Sequence, residues 1–141
     1  MFIGKYYFKL EGKGRISLPK EFRQTATDWI VTRGMDGCLF IIPEDQFVTD
    51  YQKIINRTFT KKDHRDLGRL LANEAKSVSA DNNGRVSIPG HLIEFAKLTG
   101  ELVIVGSFNR IEVWDRERYH SYLDNLEPQM EEISERIEID E

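Results

Sequence analysis

The chain is short of almost everything that would mark an enzyme, a membrane protein or a stapled secreted domain. It has one cysteine, Cys38, so no disulfide can form within it, which suits a reducing compartment. Four prolines and ten glycines among 141 residues exclude collagen-like and low-complexity classes. The longest uninterrupted apolar run is Cys38 to Ile42, far below the roughly 20 residues of a membrane span. The basic start MFIGKYYFKLEGKGR leads into no apolar stretch of signal-peptide length, so a cytoplasmic location is expected. The three histidines, His64, His91 and His120, stand at no ligand spacing from one another or from Cys38, and no metal or cofactor is expected. Nucleophile-elbow, Walker and dinucleotide motifs are all missing, so neither catalysis nor a small-molecule substrate is expected.

What is present is a polarised charge. The formal net charge is −4, yet residues 124–141 hold eight acids and one base. The first 25 residues hold six bases and two acids. A chain that is acidic in sum can still present a local cationic surface.

There is also an internal repeat. Glu11-Gly12-Lys13-Gly14-Arg15-Ile16-Ser17-Leu18-Pro19 matches Asp81-Asn82-Asn83-Gly84-Arg85-Val86-Ser87-Ile88-Pro89 at an offset of 70. Further downstream, Trp29 to Gly34 pairs with Leu102 to Ser107, and Cys38 to Pro43 with Arg110 to Asp115. Two copies are too few for a solenoid and read as a pseudo-twofold pair.

Each copy has the same grammar. A short strand (Tyr6 to Leu10; Ala75 to Ala80) leads to a tight turn, with Asn83-Gly84 the stronger hairpin signal. Next comes a strand of period two, with Arg15 and Ser17 on one face and Ile16 and Leu18 on the other. Pro19 and Pro89 open short helices with Phe22 and Ala26, or Leu92, Phe95 and Ala96, inward. A hairpin follows (Trp29 to Arg33 with Cys38 to Ile42; Leu102 to Val105 with Arg110 to Trp114). Each copy closes on a helix, carrying Phe47, Val48, Tyr51, Ile54 and Ile55, or Tyr119, Tyr122, Leu123 and Leu126, the latter capped by Asp115.

This spacing divides the chain into a first module (5–51), a helical connector (52–74), a second module (75–123) and an acidic tail (124–141). In the connector, Thr60-Lys61-Lys62-Asp63 resembles a capping box, with Leu67, Leu70 and Leu71 inward and Lys61, Lys62, Arg65 and Arg69 outward. In the tail, Met130, Ile133 and Ile137 can align as an apolar helical stripe.

The twice-repeated turn with an outward arginine is the candidate site. A guanidinium can clamp phosphate or read guanine through two hydrogen bonds, and a two-stranded ribbon fits the major groove. Two readings stay open: Arg15 and Arg85 bind DNA, or each pairs with its own turn acid, Glu11 or Asp81. Lys9, Lys13 and Lys20 flank the first copy, while Asn82 and Asn83 stand in the second.

These motifs, together with Met1-Phe2-Ile3-Gly4, Thr32-Arg33-Gly34-Met35-Asp36-Gly37-Cys38-Leu39 and Ile111-Glu112-Val113-Trp114, resemble the bacterial MraZ family from residue 1 to about 125. The resemblance implies a mainly β fold with α: two swapped-hairpin, double-ψ-like β-barrel modules of AbrB/SpoVT type with flanking helices. It implies a ring-like homo-oligomer at the nucleoid that binds double-stranded DNA. The expected targets are short direct repeats upstream of the division and cell-wall gene cluster, bound as a sequence-specific transcriptional regulator. It places the acid-x-x-x-Arg motif on Glu11/Arg15 and Asp81/Arg85, with Glu11 standing where aspartate is usual. The expected DNA contacts are Arg15, Lys13, Lys9, Lys20, Arg85 and Asn83, supported by Glu11 and Asp81. A protein-interaction scaffold and an antitoxin-like module of the same superfold are the rival readings, the acidic tail keeping the latter open.

Overall fold

The computed structural model describes residues 1–57 and 60–140, with the backbone alone at 53–55, 57 and 138–140. The first copy gives β1 (Lys5–Lys9), β2 (Arg15–Ser17), α1 (Lys20–Arg23), β3 (Asp28–Arg33), β4 (Leu39–Pro43) and α2 (Glu44–Arg57). After α3 (Lys62–Glu74), the second copy repeats the order as β5 (Lys76–Ser79), β6 (Arg85–Ser87), α4 (Gly90–Phe95), β7 (Glu101–Gly106), β8 (Ile111–Asp115) and α5 (Arg116–Leu126). The chain ends in α6 (Met130–Asp140).

Six strands form one antiparallel sheet in the order β1-β7-β8-β4-β3-β5. The hairpins β3–β4 and β7–β8 meet at its centre, where Phe40 faces Glu112. The first strand of each copy is donated to the other: β1 lies on β7, with Tyr7 opposite Val103, and β5 lies on β3, with Trp29 opposite Val78. The 81–84 and 11–14 turns therefore form without making the hairpins their sequence suggests, because β1 and β5 find their partners across the repeat. The short β2 and β6 bond to each other as a separate ribbon. The sheet stays open at β1 and β5, so the described pairing is a mixed α/β arrangement and not the closed barrel expected.

Burial explains the apolar runs. β3, β4 and β7 are covered on both faces, so they read as continuous hydrophobic stretches instead of alternating ones. On one face, Trp29, Val31, Leu39, Ile41, Leu102, Ile104 and Val113 pack against Ile16, Leu18, Val86 and Ile88 of the ribbon segments and Phe22 and Leu92 of α1 and α4. On the other, Cys38, Phe40, Ile42, Val103, Val105 and Trp114 receive Phe47 and Tyr51 from α2 and Tyr119 from α5.

Some side-chain expectations fail. Val48 (56% exposed) and Leu70 (48%) lie on outer helix faces. The capping box at Thr60 is not formed: the cap position falls on Lys61, whose side chain makes no cap bond. Ile54 and Ile55 lie outside the residues with described side chains. The expected cap at Asp115 is present, its buried carboxylate accepting from Arg118 N–H (3.4 Å) and the Thr99 hydroxyl (2.9 Å). Asp115→Ala is expected to cost about 1–2 kcal/mol in denaturant unfolding, the upper range for a lost cap.

Candidate nucleic-acid interface

The β2–β6 ribbon brings the two repeated motifs together. Arg15 faces Ser87, Ile16 faces Val86 and Ser17 faces Arg85, so a pseudo-dyad passes through Ile16 and Val86. Those two side chains are fully buried, which turns Arg15, Ser17, Arg85 and Ser87 to the outer face. The ends match as well: Ile88 N–H donates to Gly14 O (2.8 Å), and Leu18 N–H to Gly84 O (3.0 Å). Glu11 N–H and Asp81 N–H each donate to the carbonyl of the arginine four residues on (2.8 and 2.9 Å).

The turns interlock across the repeat. Gly14 and Gly84 have positive φ (70° and 76°), and each is roofed by the other copy's short helix. A Cβ at Gly14 would lie 2.8 Å from Ile93, and one at Gly84 2.4 Å from Nε of Arg23. Only glycine fits both the backbone conformation and the space.

The two arginines are not equivalent. Arg85 is committed: its Nε meets Asp81 Oδ2 at 3.2 Å and its Nη1 meets Glu11 Oε1 at 3.5 Å. Arg15 donates from Nε to Gly12 O (3.3 Å) and has no ion pair among the described residues. Of the two open readings, pairing with the turn acid describes Arg85 and not Arg15.

The glutamate at 11 supplies the reason. Asp81 is short enough to accept Asn83 N–H and Arg85 N–H (both 2.9 Å) within its own turn. Glu11 has one more methylene: it accepts from the hydroxyl of Ser17 in its own copy (3.4 Å) and reaches across the ribbon to Arg85.

Asp81 therefore titrates below an ordinary aspartate, chiefly because Arg85 N–H bonds its carboxylate, with Asn83 N–H and the Arg85 charge adding to this and desolvation opposing it. A depressed folded-state pKa stabilises the fold above the unfolded value and loses that contribution as pH falls through the folded one. We expect a carbon-detected NMR titration to place the Asp81 midpoint below 3.8, and the second turn to loosen only in stronger acid than that.

Lys9, Lys13 and Lys20 are all exposed, at the end of β1, the tip of the first turn (φ 64°) and the start of α1. Asn83 is exposed with its N–H already used. Arg23 carries no local signal in the sequence that would mark it as part of the site. Its Nε donates to Leu18 O (3.1 Å), it is in no ion pair among the described residues, and it lies against the second turn, which has no lysine of its own. Nothing in the sequence links α1 to a turn 60 residues away. The α3 cations behave differently: Lys62 and Arg69 clasp Asp66 at 2.6 and 2.9 Å on an exposed helix face.

Elsewhere, the buried Cys38 donates to Met35 O (3.1 Å), and burial pushes its thiol far above the usual range, so it is no nucleophile. His91 meets Glu74, and His120 stacks on Tyr7. Among the described residues, no three His, Cys, Asp or Glu side chains converge as a metal site, and no helix is long and apolar enough to cross a membrane.

Residues 1–70 and 71–138 each match the model of the family described as "MraZ protein, putative antitoxin-like". The chain belongs to the MraZ family. Relatives named "Transcriptional regulator MraZ" include those of Carboxydothermus hydrogenoformans (38% identical, 97% of this chain and 96% of the relative) and Halothermothrix orenii (39%, 98% and 97%). That of Heliobacterium modesticaldum is 34% identical over 97% of this chain and 96% of its own. The twofold match to the MraZ model falls on the two copies that meet in the ribbon.

Proposed function

We propose that this MraZ-family chain is a sequence-specific transcriptional regulator that binds double-stranded DNA through the outer face of the β2–β6 ribbon. The observation that carries the reading is Arg15: an outward guanidinium on a two-stranded ribbon, with no ion pair among the described residues and two residues from the exposed Lys13 at the tip of its turn. A ribbon of this kind fits the major groove, where arginine reads guanine through two bonds. In this reading Arg15 reads a base, the lysines and Arg23 hold phosphate, and Arg85 with Asn83, Glu11 and Asp81 keeps the ribbon in shape.

The strand exchange between copies supports a swapped-hairpin module of AbrB/SpoVT type. Ring-like assembly, targets in short direct repeats upstream of the division and cell-wall gene cluster, and a place on the nucleoid belong to the same proposal. A rotational array would engage several repeats at once, so modest contacts add to tight binding. The function needs no catalysis, cofactor or membrane.

The test is a gel shift on DNA from upstream of the chain's own gene, against a scrambled duplex of equal composition, at several salt concentrations. Preferential binding with a steep inverse salt dependence supports the reading. Equal or absent retention of both duplexes rejects it, and points to a scaffold or an antitoxin-like role.

A further inference from the structure

The outer face of the ribbon carries the same two residue types twice. Arg15 stands opposite Ser87, and Ser17 stands opposite Arg85. Ile88 N–H donates to Gly14 O and Leu18 N–H to Gly84 O, so the ladder bonds close at the pairs 14/88 and 18/84. The carbonyls of Arg15 and Arg85 accept from Glu11 and Asp81 instead. The pairs 15/87 and 17/85 are therefore non-hydrogen-bonded ones, where facing Cα atoms lie about 4.5 Å apart and side chains are closest. Each arginine has a serine hydroxyl as its direct cross-strand neighbour, contributed by the other copy of the repeat.

Glu11 makes the two pairs different. Its carboxylate accepts the Ser17 hydroxyl through Oε2 (3.4 Å) and meets Arg85 through Oε1 (3.5 Å). Both members of one cross-strand pair are thus held by a single acid. The other pair has no such acid. Asp81, the counterpart of Glu11, spends Oδ1 on the Asn83 and Arg85 N–H groups and Oδ2 on the Arg85 side chain. Ser87 is exposed, and its hydroxyl meets no described residue, whereas Ser17 is half-buried.

Arg15 and Ser87 therefore form one free half of a face whose other half is closed. An exposed serine alone says nothing, but this one is fixed beside a guanidinium without an ion pair among the described residues. A hydroxyl both donates and accepts, so it can bond the edge of any base in the major groove. The pair spacing of about 4.5 Å exceeds the helical rise of about 3.4 Å per base pair only slightly. A hydroxyl in that place can reach the base pair next to the one that the arginine reads.

We propose, on the reading that this ribbon meets DNA, that Ser87 is a specificity-determining contact whose hydroxyl bonds the base pair beside the one read by Arg15. Ser17, its equivalent in the repeat, makes no such contact because Glu11 holds it. Arg15 and Ser87 come from different copies, so neither copy alone carries the reading pair.

The test is fluorescence anisotropy of the full-length chain on the preferred upstream duplex and on a scrambled one, with chemical denaturation of each variant alongside. Ser87→Ala is expected to weaken binding to the preferred duplex by about 3- to 10-fold, the worth of one hydrogen bond, and to leave the scrambled duplex within about twofold. Ser87→Thr keeps the hydroxyl at a strand position that suits a β-branched residue, and is expected to retain the preference. Ser17→Ala is expected to bind both duplexes as the parent does. The unfolding midpoint should stay at the parent value in Ser87→Ala, so a lost preference is not lost structure. Full preference in Ser87→Ala while Arg15→Ala loses it overturns the role of Ser87 and leaves the DNA reading intact. Equal weakening of both duplexes, the mark of a phosphate contact, also overturns it, as does an equal loss of preference in Ser17→Ala. A parent chain without preference rejects the DNA reading itself, and the role of Ser87 with it.

Discussion

Arg15→Ala is expected to lose operator binding while remaining folded and assembled. The side chain makes one hydrogen bond to the protein, to Gly12 O, and no ion pair among the described residues. Truncating it removes little native structure, so unfolding free energy should change by less than about 1 kcal/mol. The DNA term is larger. A bidentate base contact is worth about 1–3 kcal/mol. If two chains engage two repeats, the loss is roughly 2–6 kcal/mol, about 30-fold to more than 10⁴-fold in affinity. If Arg15 holds phosphate instead, the salt dependence flattens by about 0.9 log units per contact and specificity is kept. Arg15→Lys separates the two cases, since it keeps the charge and loses the two-pronged geometry. Arg85→Ala should differ in kind. It leaves Glu11 and Asp81 without their shared cation, so the ribbon loosens and the Asp81 titration moves back toward the ordinary range. Normal binding by Arg15→Ala, measured by fluorescence anisotropy on the preferred duplex, would refute the proposed role.

How far the sequence anticipates this asymmetry depends on range. Local signals carry well. Ile16 and Leu18 alternate with Arg15 and Ser17, Pro19 and Pro89 open short helices, and Asp115 caps α5, because each rests on neighbours a few residues apart. Repeat identity also shows that Arg15 and Arg85 are equivalent by descent. It does not show that they end up on one ribbon, nor that the carboxylate of Glu11 meets the other copy's arginine. Those facts depend on β1 and β5 being exchanged, and a turn motif reads the same whether its flanking strands pair with each other or with a partner. The missed Arg23 has the same origin, as do the overstated apolar faces at Val48 and Leu70. Helical spacing marks a stripe, but only the sheet beneath decides how wide a stripe is covered. The continuity of Leu123, Leu126, Met130 and Ile133 crosses Pro128, a residue type that rarely sits inside a helix. In the structure it sits in the 3₁₀ turn, which passes through it without leaving helical angles.

The N-terminal residues carry the other large expectation. Gly106→Ala should destabilise the fold by about 3–5 kcal/mol, although the added group is a methyl and φ there is ordinary. The new Cβ would stand 2.3 Å from Ile3 N and 2.4 Å from the carbonyl carbon of Phe2. These are backbone atoms, so no side-chain rotation relieves the clash and the strap formed by residues 2–4 must lift. That strap is held by paired bonds between Phe2 and Phe108 (2.8 Å each) and by Gly106 N–H to Gly4 O (2.9 Å). Lifting it withdraws Phe2, only 2% exposed, from its edge-on contact with Phe22 at 5.2 Å and from Trp29. Removal of a buried phenylalanine costs about 3–5 kcal/mol, a large share of the roughly 5–15 kcal/mol that holds a domain together. If displacement of the strap is the mechanism, Phe2→Ala costs a similar amount, and the double variant costs little more than either alone, because each has already forfeited the same contacts. Additive losses in chemical denaturation would mean that the glycine acts within β7 itself. Phe22 lies in α1, next to Arg23, so a lifted strap also loosens the helix that roofs the second turn; DNA binding by Gly106→Ala should weaken with its stability, whereas Arg15→Ala separates the two.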